Sequence, residues 1–369
     1  MSPRTVLLVV LCLASCALPA FAQAPSCNDA AIMSLRGQWI ADSAPRPSPK
    51  EVTNDQYLQI AMRADAVHPL LLEAYPELVG MREGRWWHSG GGPSGVAQGL
   101  LAYNYIGALS QYFCAPNASP DSILGRLGAP ARPVYVDRAA ETNLIVHFNH
   151  FGDSGFLTAL TDITVDGLPV FQRSRPTGVW KDHERYVRES SLAGDGLVLL
   201  TRKGMLPYRP VTRKQYLDHM VAAIQRQYDD TIAAAKAVLA NPETSGVPEF
   251  AEGARQSIAD AAIILAPIAR FQEELKRNAA AKTLDSPAIV AGIGKMNFSE
   301  DHDIFATEET GGQALVTMNP DYIRRDLPPY VPQFIVVHWQ LQTGVASAHF
   351  GKMVEVNLPI EKLQAMIDR

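Results

Sequence analysis

At 369 residues, 47% hydrophobic and 19% charged, the chain has the make-up of a folded globular protein and the length for two ordinary domains. A formal charge of -5, with Lys and Arg scattered among acids, leaves no basic excess to hold phosphates and excludes nucleic acid as a partner. Nowhere does an apolar run reach the roughly 18 residues that a membrane span needs, so no transmembrane span is expected in the mature chain.

Arg4, the apolar run Val6 to Leu13 and the small residues ending at Ala20-Phe21-Ala22 follow the order of a secretory signal peptide, residues 1–22. Export to the periplasm, the cell envelope or the extracellular space of a bacterium is therefore expected. A second reading ends the leader at residue 15: Leu13-Ala14-Ser15-Cys16 resembles the lipobox of bacterial lipoproteins, which implies a lipid anchor on Cys16. Cys12 lies in the leader either way, so Cys27 and Cys114 remain for the folded body. In an exported protein they are expected to pair as a disulfide, two separate buried thiols being the alternative.

Residues 23–51 read as an N-terminal arm and linker, ending in the proline-dense run Ala44 to Pro49. Thr53-x-x-Gln56 is a capping box and opens an amphipathic helix with Tyr57, Leu58, Ile60, Ala61 and Ala64, expected to stop near His68-Pro69. A second apolar turn runs from Leu70 to Leu78, and Arg85 to Gly95 (RWWHSGGGPSG) reads as a glycine-rich loop with Trp86 and Trp87 at its mouth. Leu101 to Phe113 is read as a strand on its aromatic content. Val134 to Val136, Leu144 to Phe151, Phe156 to Val165 and Leu168 to Phe171 alternate, with turns at Gly152 to Gly155 and at Asp166-Gly167, and predict an antiparallel meander. Arg173 to Arg188 reads as a polar loop and Leu197 to Thr201 as a closing strand, which completes a helix plus antiparallel β domain over residues 52–203.

Gly204 to Leu217 (GMLPYRPVTRKQYL) marks the change from strand-rich to helix-rich sequence. Thr212-x-x-Gln215 is a second capping box, and the stripe Tyr216, Met220, Ile224, Tyr228, Ile232, Ala235 and Leu239 predicts a helix of about 28 residues, roughly 40 Å long. Asn241-Pro242 and Gly246 end it, and a second helix from Pro248, with Pro267 as an expected kink, predicts a long antiparallel helical hairpin. Strands follow at Ala288 to Ala291, Gln313 to Thr317, Phe334 to Leu341 and Met353 to Val356, then a terminal helix from Ile360 to Ile367. The fold class is thus α+β, with a β-rich N-terminal domain and an α+β C-terminal domain over residues 204–369. Val52 to Leu58 and Val211 to Leu217 share V-T-x-x-Q-Y-L, an echo that either a duplication or two convergent helix caps would produce.

Chemistry-bearing residues are scattered. Phe151-Gly152-Asp153-Ser154-Gly155 resembles the serine blocks of the SGNH esterases and of chymotrypsin-like proteases, but the Asp-x-x-His match, Asp65-Ala66-Val67-His68, lies upstream of Ser154, and Phe156 stands where a chymotrypsin-like enzyme has glycine. Gly90 to Gly95 satisfies G-x-G-x-x-G without the buried strand that a dinucleotide site needs before it, and no cofactor is implied. His147 and His150, three apart in a predicted strand, point to opposite faces. Asp301, His302 and Asp303 form the densest group of hard metal ligands. His338 and His349 would lie opposite each other if a hairpin turned at Thr343-Gly344. Arg202, Lys203, Arg209, Arg213 and Lys214 gather as cations around a helix start, where they oppose the macrodipole, so carboxylates or an anionic ligand are expected beside them.

These observations favour a non-enzymatic ligand-binding or interaction protein of the cell envelope, with Trp86, Trp87, Arg209 and Arg213 as binding candidates and an envelope protein or glycan as partner. The alternative is a secreted hydrolase whose site is assembled from non-local residues, with Ser154, His88, His338 and His349 as catalytic candidates.

Overall fold

Two capping boxes set the helical layers of the protein. In the computed structural model, Thr53 and Gln56 exchange backbone and side-chain hydrogen bonds at 3.2 and 2.9 Å and start α2, Asn54–Asp65. Thr212 and Gln215 do the same at 3.2 and 3.0 Å and start α4, Arg213–Ala240, a helix of 28 residues. The shared V-T-x-x-Q-Y-L is therefore one cap chemistry used twice, on helices in different layers. The structure describes residues 28–41, 52–97, 99–114, 133–135, 141–151, 156–188, 195–290 and 303–369.

The chain is mixed α and β. Before residue 204 come α1 (Asp29–Ser34), β1 (Gln38–Ala41), α2, α3 (His68–Ala74), β2 (Met81–Pro93), β3 (Leu101–Cys114), β4 (Pro133–Tyr135), β5 (Glu141–Phe148), β6 (Leu157–Val165), β7 (Leu168–Arg173), β8 (Gly178–Trp180), β9 (His183–Arg188) and β10 (Asp195–Leu200). After it come β11 (Tyr208–Pro210), α4, α5 (Pro242–Ser245), α6 (Pro248–Asp260), α7 (Ala262–Ala281), β12 (Ile289–Val290), β13 (Gln313–Met318), β14 (Ile335–Gln340), α8 (Val345–Asn357) and α9 (Ile360–Gln364). Strands dominate the first part and long helices the second, as the sequence leads one to expect. The sheets are nevertheless shared across residue 204. A nine-stranded sheet runs β1-β2-β3-β5-β14-β10-β9-β8 with β4 beside β3, and a five-stranded sheet runs β11-β13-β7-β6 with β12 beside β13.

Three apolar layers hold these sheets between helices. On one face of the large sheet, Tyr103, Tyr105, Leu144, Val146, Val337 and Trp339 pack against Ile60, Leu71, Phe350 and Leu363 from α2, α3, α8 and α9. Its opposite face, with Leu197, Leu199, Val336 and Tyr186, meets Phe171, Val316 and Tyr208 of the small sheet. The outer face of the small sheet, with Val170 and Leu315, is covered by Tyr216, Leu217, Met220 and Phe271 of α4 and α7. The helical hairpin closes on itself, because Lys214 N–H at the start of α4 donates to Leu284 O, just beyond the end of α7, at 3.0 Å.

Five local expectations need correction. Residues 85–93 belong to β2 rather than to a loop. Their glycines answer packing and a register shift: a Cβ on Gly84 would come within 2.5 Å of the Trp39 ring, and Gly90, with φ 92°, sits at the irregularity between Gly90 and Gly92. The polar stretch 173–188 holds the hairpin β8–β9. The run 353–356 is helical, part of α8, where Ala346, Phe350 and Val354 recur every four residues on the buried face. Finally, the expected meander is divided: β5 lies in the large sheet, the β6–β7 hairpin in the small one, and β8, β9 and β10 return to the large one. The helix expected to kink at Pro267 instead breaks earlier, at Ala261 between α6 and α7, with Pro267 inside α7.

Candidate functional site

Polar side chains enter the space between the sheets at one end. On the inner face of the large sheet, strand register sets Tyr186 opposite Leu197 and Leu197 opposite His338, a row across β9, β10 and β14. Asp195, two residues before Leu197, points the same way. These groups and Phe156, Ser174, Arg175, Glu308 and Gln313 line a cleft of about 560 Å³. Tyr186, Asp195 and His338 are each under a tenth exposed. Asp195 is held by the backbone N–H of Leu341, which donates to its Oδ1 at 3.1 Å. Asp195 and His338 thus set a carboxylate and an imidazole at the edge of an otherwise apolar inter-sheet layer.

A histidine cluster lies beside His338. The ring of His147 stacks at 6.1 Å from that of His338 and lies 5.8 Å from that of His150. His150 reaches the same side as His147, against expectation, because β5 ends at Phe148 and Asn149 takes a left-handed φ of 56°. That turn is fixed by bonds no local motif announces. The Asn149 amide donates to Leu101 O and Val331 O at 3.2 and 3.1 Å and accepts from Gln333 N–H at 2.7 Å. Nδ1 of His147 meets Asn104 Oδ1 at 2.7 Å, which places the imidazole proton there, while its Nε2 is buried with no partner. Burial first, then the neighbouring imidazoles of His338 and His150, push His147 down to about 3, so it is neutral in the folded protein near pH 7. Among the described residues, no three His, Cys, Asp or Glu side chains are placed to hold a metal ion.

The floor of the cleft continues into a tyrosine and ion-pair network. Tyr186 donates to Glu184 Oε2 at 2.5 Å, and Tyr208 donates to the same oxygen at 3.4 Å. Arg173 bridges Glu184 and Glu308 at 3.4 and 3.5 Å. Burial works against the charge of Arg173, but Tyr208, Tyr186 and Glu184 together hold it in the charged form. Burial, the nearby Tyr208 and the bond to Glu184 push the Tyr186 phenol up, which keeps it protonated.

The residues singled out from the sequence are dispersed. His338 is in the cleft, whereas His349 lies on α8 beside Tyr75, at 5.9 Å. No hairpin joins them, since α8 follows β14 and packs on the other face of the sheet. Arg209 donates to Asp166 at 2.7 Å, and Arg213 donates to Asn278 at 2.9 Å while lying over Phe305. Arg202 makes two bonds to Asp368, at 2.6 and 2.7 Å, and Lys214 pairs with Asp218. Arg202, Arg209, Arg213 and Lys214 therefore have carboxylate or amide partners within the protein and do not converge on one point. Asp303 is exposed. Ser154, Asp301, His302, Cys16 and Cys27 lie outside the described residues, as does the side chain of Cys114.

Trp86 and Trp87, on adjacent strand positions, point to opposite faces. Trp86 stacks on His68 at 4.5 Å, and His68 lies edge-on to Trp39 and bonds Tyr105 OH at 2.9 Å. His88, two positions along β2, meets Asp65 through Nδ1 at 3.2 Å and Tyr57 OH through Nε2 at 3.0 Å. Asp65 is the acid of the Asp-x-x-His match, but its hydrogen-bond partner is His88. The signal in the sequence is that Tyr57 and Asp65, eight residues apart, share one flank of α2.

The chain matches no family model, no curated protein and no solved structure. No helix among the described residues is long and apolar enough to cross a membrane.

Proposed function

We propose that this is an exported binding protein of the bacterial cell envelope and that the cleft between its sheets takes, without chemical change, a small hydroxyl-rich ligand such as a saccharide. One observation carries this reading: Asp195 and His338, both nearly buried, project into a cleft walled by Phe156, Leu197 and Tyr186. Carboxylates at Asp195 and Glu308 accept hydroxyl protons, Arg175 donates to ring or acyl oxygens, and the aromatic rings offer flat apolar surface to a sugar face. Isothermal titration of the mature protein with a panel of mono- and disaccharides tests the proposal. Asp195→Asn is expected to weaken the best ligand about tenfold, the loss of one charge-assisted hydrogen bond. Absence of binding across the panel, or an Asp195→Asn variant with unchanged affinity, removes the cleft as the site. For export, mass spectrometry of the mature N-terminus is expected to find Gln23 or an acylated Cys16, and an unprocessed Met1 overturns it.

A further inference from the structure

A second site, independent of the cleft, lies on the opposite face of the large sheet. There α2 crosses β2 and sets three groups in a row, with Asp65 against His88 Nδ1 at 3.2 Å and His88 Nε2 against Tyr57 OH at 3.0 Å. A carboxylate only accepts, so the imidazole proton sits on Nδ1 and Nε2 takes the phenol proton in its lone pair. A nucleophile, a base in hydrogen-bond reach of it and a third group orienting the base form the arrangement by which side-chain hydroxyls are activated.

Two members of the row reach the surface, the side chains of His88 and Asp65 being 20% and 42% exposed. Among the described residues, β1 pairs with β2 as far as Trp86, two residues before His88. Leu58 and Met62, large apolar side chains 59% and 66% exposed, stand seven and three residues before Asp65 on its flank of α2 and give an apolar strip beside its carboxylate.

We propose that Tyr57 is a catalytic nucleophile toward carboxylic esters with an apolar acyl group, with His88 as its general base and Asp65 as the residue that positions His88. The phenol oxygen bonds to the ester carbonyl carbon as its proton passes to His88 Nε2. The carbon–oxygen bond to the alcohol then breaks, and the alcohol leaves with that proton. Water, giving its proton to His88 in turn, attacks the acyl-tyrosine and releases the carboxylic acid, which restores the phenol.

The test uses the full mature protein with two probes, p-nitrophenyl butyrate for turnover and an arylsulfonyl fluoride for labelling, in which a sulfur–oxygen bond forms on the phenol and fluoride leaves. Peptide mapping is expected to find the sulfonyl group on Tyr57. Tyr57→Phe, which keeps the packed ring, is expected to abolish both label and turnover, and His88→Gln to slow each about a hundredfold. Turnover no faster than buffer, or labelling spread evenly over surface tyrosines, would overturn the proposal. The site of labelling is mapped on the unaltered protein, so it decides even if a variant fails to fold.

Discussion

At the scale of single residues, the informative groups are polar side chains kept where apolar ones would suffice. His147 is the clearest case, because its imidazole is pushed down to about 3 from an ordinary 6.5 by burial and by two neighbouring imidazoles. Between those values the unfolded chain takes up a proton that the folded protein refuses. Stability is therefore full above about pH 6.5 and falls as pH falls toward 3, with a slope of about 1.4 kcal/mol per pH unit for one such group. Urea denaturation between pH 5 and 6.5 is expected to show this slope, and His147→Gln to flatten it by about one proton. A slope that the substitution leaves unchanged would mean that His147 titrates alike in both states. His68, His183 and His349 are lowered by burial as well and add to the same acid sensitivity in both proteins.

At the scale of elements, caps were legible in the sequence and topology was not. Thr53 with Gln56, and Thr212 with Gln215, act across three residues each, so both helix starts are local chemistry and both occur where the spacing places them. β2 was hidden because Gly84 and Gly90 to Gly92 carry the composition of a loop, and the reason for glycine at 84 is the Trp39 ring on a different strand. α8 was hidden because Met353 to Val356, read alone, is a short apolar run that fits strand and helix alike, and its burial partners come from α1 and α3. The candidate sites follow the same rule. His88 was visible as a residue, but Asp65 and Tyr57 become its partners only once α2 lies across β2. His338 and Asp195 line one cleft only through the pairing of β10 with β14. One helix end also yields a prediction. Lys282, exposed, closes α7 in the left-handed region with φ 57° and ψ 35°, a backbone shape that favours glycine. Lys282→Gly is expected to stabilise the protein by about 0.5 to 1 kcal/mol, read as a higher urea midpoint at constant slope.

At the scale of the molecule, residue 204 separates kinds of secondary structure but not folding units. Fragment 28–204 contains β5 and β10 but lacks the strand that joins them, so it is expected to show no cooperative urea transition by circular dichroism. A break at residue 246, at the tip of the helical hairpin, leaves every strand pairing intact, and the two pieces expressed together are expected to copurify and melt as one. A cooperatively folded 28–204 fragment would overturn that division. The position of β14 has a further consequence in time. It runs antiparallel between β5 and β10, so Leu144 and Gly196 both wait for Trp339. About nine-tenths of the chain must be made before the middle of the large sheet can close, and contacts of such long sequence separation form slowly. Until then the edges of β5 and β10 are exposed templates for other chains. A truncation that loses only the last forty residues should therefore be recovered as aggregate rather than as a shortened native protein, because the central strand of this sheet is among the last parts of the chain to be synthesised.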